Sequence, residues 1–73
     1  MKIIIGGAGA VGYQITKMLS GENHEVVVVD IDEESLNVLS SQYDVLTVTG
    51  SITSFNVLKQ SGVKNADLFV AVA

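Results

Sequence analysis

The sequence predicts an α/β fold, a parallel β-sheet with helices on both faces. Three observations carry that prediction. Short β-branched runs alternate with stretches of helical periodicity in the order β-α-β-α-β-α-β. The connections are short, as right-handed crossovers between parallel strands require. A glycine-rich turn separates the first strand from the first helix.

The first strand is Lys2-Ile3-Ile4-Ile5, closed by Gly6 and Gly7. Val11, Ile15, Met18 and Leu19 then recur at helical spacing, which predicts one apolar stripe facing the core. Gly21 is placed to end that helix. Val26 to Val29 is unbroken valine, the pattern of a strand covered on both faces. Asp32 is the expected N-cap of a second helix, with Glu33 and Glu34 where the helix dipole favours negative charge. Leu36, Leu39 and Tyr43 form its inner face. Val45 to Thr49 reads as a third strand, stopped by Gly50. Thr53 or Ser54 caps a third helix through Gln60, with Val57 and Leu58 facing in and Gly62 at its end. Asp67 to Ala73 reads as a fourth strand. Strand order 3-2-1-4 follows, with a switch point between strands one and four.

Composition narrows the function. The chain has 73 residues, about half of the ~150 that set a prior for one domain, so one domain or part of one is expected. Hydrophobic residues make up 48% and charged residues 16%, which excludes a disordered tail. There is no cysteine, hence no disulfide scaffold and no Cys-based zinc site. The net charge of −4, with four Lys and no Arg, argues against a nucleic-acid partner. The longest unbroken valine run is strand-sized, far short of the ~20 residues of a membrane helix. A cytoplasmic chain is the expectation.

The glycine turn, Gly7-Ala8-Gly9-Ala10-Val11-Gly12, matches G-x-G-x-x-G in the strand-turn-helix context that gives the pattern meaning. Gly7 suits a tight turn, Gly9 leaves room for a pyrophosphate, and Gly12 permits close packing of helix on strand. The helix N-terminus offers free amides to phosphates. Asp30 ends the second strand, where a carboxylate accepts hydrogen bonds from ribose hydroxyls and repels a 2′-phosphate. NADP is therefore disfavoured. As an exposed strand-end residue, Asp30 is expected to make few packing contacts. His24, the single histidine, is read as a surface turn residue at the opposite end of the sheet, and Tyr13 and Tyr43 as packing groups. Ser51 and Thr53 lie in the loop after strand three, where ligand contact and turn or cap roles both fit. No nucleophile-base pair or metal-ligand cluster is legible. These are the features of a Rossmann-type domain built to bind.

Beyond the glycine turn, the sequence resembles the N-terminal nucleotide-binding domain of Trk-system potassium-uptake regulators, the KTN or RCK class. The likeness runs through M-K-I-I-I-G-G-A-G-A-V-G, V-V-V-D-I-D, Y-D-V-L-T-V-T-G-S-I-T-S and L-K-Q-S-G-V-K-N-A-D-L-F-V-A-V-A. The exit S-G-V-K-N-A-D into strand four is its most family-specific part. The resemblance implies that Gly7, Ala8, Gly9, Ala10 and Val11 hold phosphates and that Asp30 holds the adenosine ribose. It implies contacts from Ser51 and Ile52 after strand three and from Ala73 at the end of strand four. Many relatives carry Asp where this chain has Ser51, and Arg or Gln where it has Ala10. The implied ligand is NAD(H) or ATP/ADP, without catalysis. Binding would change the packing of a homodimer or higher ring and so gate a potassium-transporting membrane subunit at the inner face of the membrane. Residues 1–73 would be the N-terminal part of such a domain, truncated after strand four, with no second domain. The competing expectation is the cofactor-binding half of an NAD-dependent dehydrogenase. A pure dimerisation module with a degenerate site is a third.

Overall fold

The computed structural model describes residues 1–72, with the side chains of Phe55, Leu58 and Val63 outside the description. Four strands, β1 (Lys2–Gly6), β2 (Glu25–Asp30), β3 (Leu46–Thr49) and β4 (Leu68–Ala71), form one parallel sheet in the order β3-β2-β1-β4. Three helices connect them: α1 (Ala10–Ser20), α2 (Glu33–Gln42) and α3 (Phe55–Ser61), the last followed by a 3₁₀ turn at Val63–Asn65. The fold is the Rossmann-like α/β arrangement expected, with strands three and four each shorter than the sequence reading by their flanking residues. Ala73, and the inward placement of the Leu58 side chain, fall outside the described residues.

The pleat divides β1 and β2 between two cores. Ile3, Ile5, Val26 and Val28 point to one face and join Leu36 and Leu39 of α2, with Ile15 and Leu19 of α1 packed against them. Ile4, Val27 and Val29 point to the other, where Val48, Ile52, Val57 and Ala66 cover them. Burial on both faces explains why these strands are continuous Ile and Val with no polar alternation. The edge strands have only one paired neighbour each. Leu68, Phe69 and Leu46 are exposed there, while Val70 and Val72 are half-buried.

Helix α1 corrects half of the expected stripe: Ile15 and Leu19 pack against the core, whereas Val11 and Met18 do not. Val11 and Met18 are 59% and 71% exposed, and the residues buried against the sheet are Gly12 and Thr16. The stripe is displaced because α1 lies too close to the turn after β1 for a large side chain. A Cβ on Gly12 would sit 1.9 Å from the Gly7 carbonyl oxygen. Thr16 satisfies its own hydroxyl by donating to the Gly12 carbonyl at 2.8 Å, so it can be buried at no unpaired cost.

Helix α2 is capped as expected. The Asp32 carboxylate accepts the Glu34 N–H at 3.2 Å and the Ser35 hydroxyl at 2.7 Å. The C-terminal end of α2 is clasped to α1 by side chains: the Tyr13 hydroxyl donates to Gln42 Oε1, and the Tyr13 and Tyr43 rings meet edge to face with centroids 5.9 Å apart. The Tyr43 hydroxyl donates to that of Tyr13 at 3.4 Å; this bond, with some desolvation, raises the Tyr43 phenol above its ordinary pKa. At the start of α3 the Val57 N–H donates to the Ser54 hydroxyl at 3.4 Å, so Ser54, rather than Thr53, takes the capping role. His24 lies in the turn before β2, at the end of the sheet opposite the glycine turn; its side chain is half-buried, and its Nδ1 has no hydrogen-bond partner among the described residues.

Candidate functional site

All four strands end on the same side, and their ladders continue into the loops. Gly7 N–H donates to Val29 O at 2.8 Å, Gly50 N–H to Asp30 O at 2.8 Å, and Val72 N–H to Gly6 O at 2.9 Å. These bonds bring the exits of β1, β2, β3 and β4 to one level, around a cleft of about 550 Å³. The turn after β1 contributes Gly7, Gly9, Ala10, Val11 and Gly12 to its lining. Asp30 and Ile31 come from the end of β2, Gly50, Ser51 and Ile52 from the loop after β3, and Val72 from the exit of β4. In an open parallel sheet, ligands bind in this position, at the switch point beyond the carboxyl ends of the strands.

Each glycine of the motif has a separate steric reason. Gly7 has φ +128°, and a Cβ there would lie 2.2 Å from the Val72 carbonyl oxygen. Gly12 is pressed against Gly7 itself. Gly9, by contrast, has no heavy atom within 4 Å of where its Cβ would stand. The protein leaves that space open on the cleft side, where a close approach needs it.

The electrostatics of the two helix starts differ. Helix α1 opens at Gly9 with no side-chain cap and no acidic residue in its first turn. Its backbone ladder begins with the Tyr13 N–H donating to Gly9 O at 2.8 Å, so the amides of Ala10, Val11 and Gly12 precede the first regular bond. About half a positive charge is therefore offered to the cleft. Helix α2 carries Asp32, Glu33 and Glu34 at its start and neutralises its own N-terminus. Among the described residues no lysine lines the cleft, and the chain has no arginine, so the start of α1 is its positive element.

Asp30 sits beside the turn that leads into that helix start. Its Oδ2 accepts the Ala8 N–H at 2.7 Å and its Oδ1 accepts the Asp32 N–H at 2.8 Å. The expectation that this carboxylate makes few contacts is thereby corrected: it is half-buried and joins two loops. Ala8 does not line the cleft; its methyl is in the core, and its amide is committed to Asp30. Ser51 reaches the rim, but its hydroxyl is engaged with the Thr53 hydroxyl at 2.7 Å and accepts the Thr53 N–H at 3.2 Å. Ile52 folds back over the end of β1, its Cγ2 3.0 Å from where a Gly6 Cβ would stand. Sequence reasoning missed Ile31, 75% exposed on the cleft, and the ties made by Asp30. The second tie was legible in principle, since an aspartate bonding the amide two residues on is an Asx-turn signal.

The chain is similar to the Trk system potassium uptake protein TrkA of Vibrio alginolyticus, 42% identical over 72 residues that span 99% of this chain and 16% of that protein. It is 36% identical over 72 residues to the Trk system potassium uptake protein TrkA homolog of Pyrococcus abyssi, covering 99% of this chain and 32% of that one. A solved structure described as Shewanella denitrificans Kef CTD in AMP bound form superposes with a TM-score of 0.76, at 24% identity, over 94% of this chain and 40% of that chain. That likeness supports the fold. The TrkA-N domain matches residues 3–73, nearly the whole sequence, and the chain belongs to the TrkA-N domain family.

Proposed function

We propose that this chain is the N-terminal part of a nucleotide-binding regulatory domain in a Trk-type potassium uptake system, taking NAD(H) or ATP/ADP in the cleft. The observation that carries this reading is that a helix start with no acidic residue in its first turn and the Asp30 carboxylate line one cleft. Phosphates lie against the turn at Gly7, Gly9, Ala10 and Val11, with Gly12 holding α1 close and Ala8 acting through its bond to Asp30. The free lone pairs of Asp30 take ribose hydroxyls. Ser51 and Ile52 border the nucleotide from the loop after β3, and Val72 from the exit of β4. A 2′-phosphate meets the Asp30 charge with no arginine to receive it, so NADP is disfavoured.

In this reading the chain performs no reaction. The names of its relatives support a role in potassium uptake, with a potassium-transporting membrane subunit as partner. In this reading the domain sits at the inner face of the membrane through that partner; no helix among the described residues is long and apolar enough to cross a membrane. The exposed Leu68 and Phe69 of β4 favour assembly as a homodimer or higher ring. Gating then requires the nucleotide to bind one assembly state more tightly than another. Calorimetric titration with NADH, ATP and NADPH tests the site, and sedimentation with and without nucleotide tests the coupling. NADH binding tighter than NADPH, with a change in assembly on binding, is expected. Preference for NADPH overturns the Asp30 assignment, and a monomer indifferent to nucleotide overturns the gating.

A further inference from the structure

Ribose recognition does not require what Asp30 already does in the free protein. One carboxylate spans two loops, its Oδ2 on the Ala8 N–H at 2.7 Å and its Oδ1 on the Asp32 N–H at 2.8 Å. Ala8 stands inside the glycine turn, between Gly7 at φ +128° and the helix start at Gly9. The Gly7 N–H is held by Val29 O, so successive amides of the turn are anchored to successive residues of β2. Releasing the second anchor frees the segment that sets the direction of the first turn of α1. Hydrogen bonds to a charged acceptor are short and strong, and both distances here fall in that range.

We propose that Asp30 is a positioning residue for the phosphate-binding turn: by holding the Ala8 amide it aims the start of α1 into the cleft, independently of any contact with the sugar of the ligand. This rests on the nucleotide reading above and deepens it. A carboxylate has about four acceptor sites, so two backbone amides leave capacity for a ribose hydroxyl. The two roles are therefore compatible in one side chain, and a ligand without the hydroxyls separates them.

The test compares ATP with 2′,3′-dideoxy-ATP on the wild type, Asp30→Asn and Asp30→Ala. Asparagine keeps one acceptor oxygen and can hold one of the two amides. If Asp30 positions the turn, dideoxy-ATP affinity falls roughly tenfold or more in Asp30→Ala, with Asp30→Asn intermediate. If dideoxy-ATP affinity is unchanged while ATP affinity falls, the carboxylate acts by sugar contact alone and the proposal is overturned. Wild type that binds neither of these ligands nor NADH refutes the nucleotide reading instead. A measurement free of mutation accompanies these: a through-hydrogen-bond NMR coupling from the Ala8 amide nitrogen to Asp30 Cγ. Its presence in the wild type is expected, and its absence overturns the proposal even where a variant fails to fold.

Discussion

Gly12→Ala is the sharpest probe of how this fold builds its cleft. The added methyl would stand 1.9 Å from the Gly7 carbonyl oxygen and 2.8 Å from the Gly7 carbonyl carbon. Both are backbone atoms, so no rotamer change relieves the clash; α1 or the turn must move. Overpacking of this kind costs about 1–3 kcal/mol, and a rigid backbone neighbour puts it at the upper end. Against that, alanine in place of glycine in a helix gains about 1 kcal/mol. The net is a destabilisation of about 2 kcal/mol. For a small domain each kcal/mol is roughly 4–8 °C in Tm, so a fall of about 8–16 °C is expected in thermal melts followed by circular dichroism. The margin is thin, since native stability is about 0.05–0.15 kcal/mol per residue. A variant as stable as the wild type, or more stable, would mean that helix propensity outweighs the contact and that close approach of α1 to the turn does not limit the fold.

Gly9→Val should behave in the opposite way: no heavy atom lies within 4 Å of its Cβ position, so melting changes little, whereas nucleotide binding in calorimetry is lost because the side chain fills the approach to α1. Unchanged affinity would make the turn structural only. Asp32→Ala removes the cap of α2 and the bond from Ser35, and urea unfolding should show a loss of about 0.5–2 kcal/mol. An alkaline titration of stability tests the Tyr43 phenol, whose raised pKa means that the folded state holds its proton more tightly than the unfolded chain. Its contribution is intact below the ordinary value of 10.0 and declines as pH rises through and beyond it, so Tyr43→Phe should lose stability less steeply in that range.

The parts of this fold that were legible in the sequence are those written in hydrophobic pattern. Continuous Ile and Val in β1 and β2 announce strands buried on two faces, and the glycine motif between β1 and α1 marks the cleft. Helix α1 shows where such reading fails. Hydrophobic scales rank Val11 and Met18 above Gly12 and Thr16, yet close approach to the turn selects for smallness, and Thr16 hides its polarity in a bond to its own helix. Asp30 was placed at the correct strand end, but its partner Ala8 is remote in sequence and contributes a backbone amide, which no residue type announces. The capping of α2 by Asp32 was readable because it is local.

The seating of Gly7 against the Val72 carbonyl oxygen also bears on how the protein comes to be folded. G-x-G-x-x-G is contiguous in sequence, but one wall of its first turn is supplied by the opposite end of the chain, next to a Val72 N–H that donates to Gly6 O. β4 must pair with β1 before that wall exists, and parallel pairing between distant segments is the slow step of such topologies. During synthesis the motif is therefore present long before its final shape is. Residues of the turn and of β4 should gain protection from amide exchange together in a refolding time course, although the segments joining them can form helix much earlier.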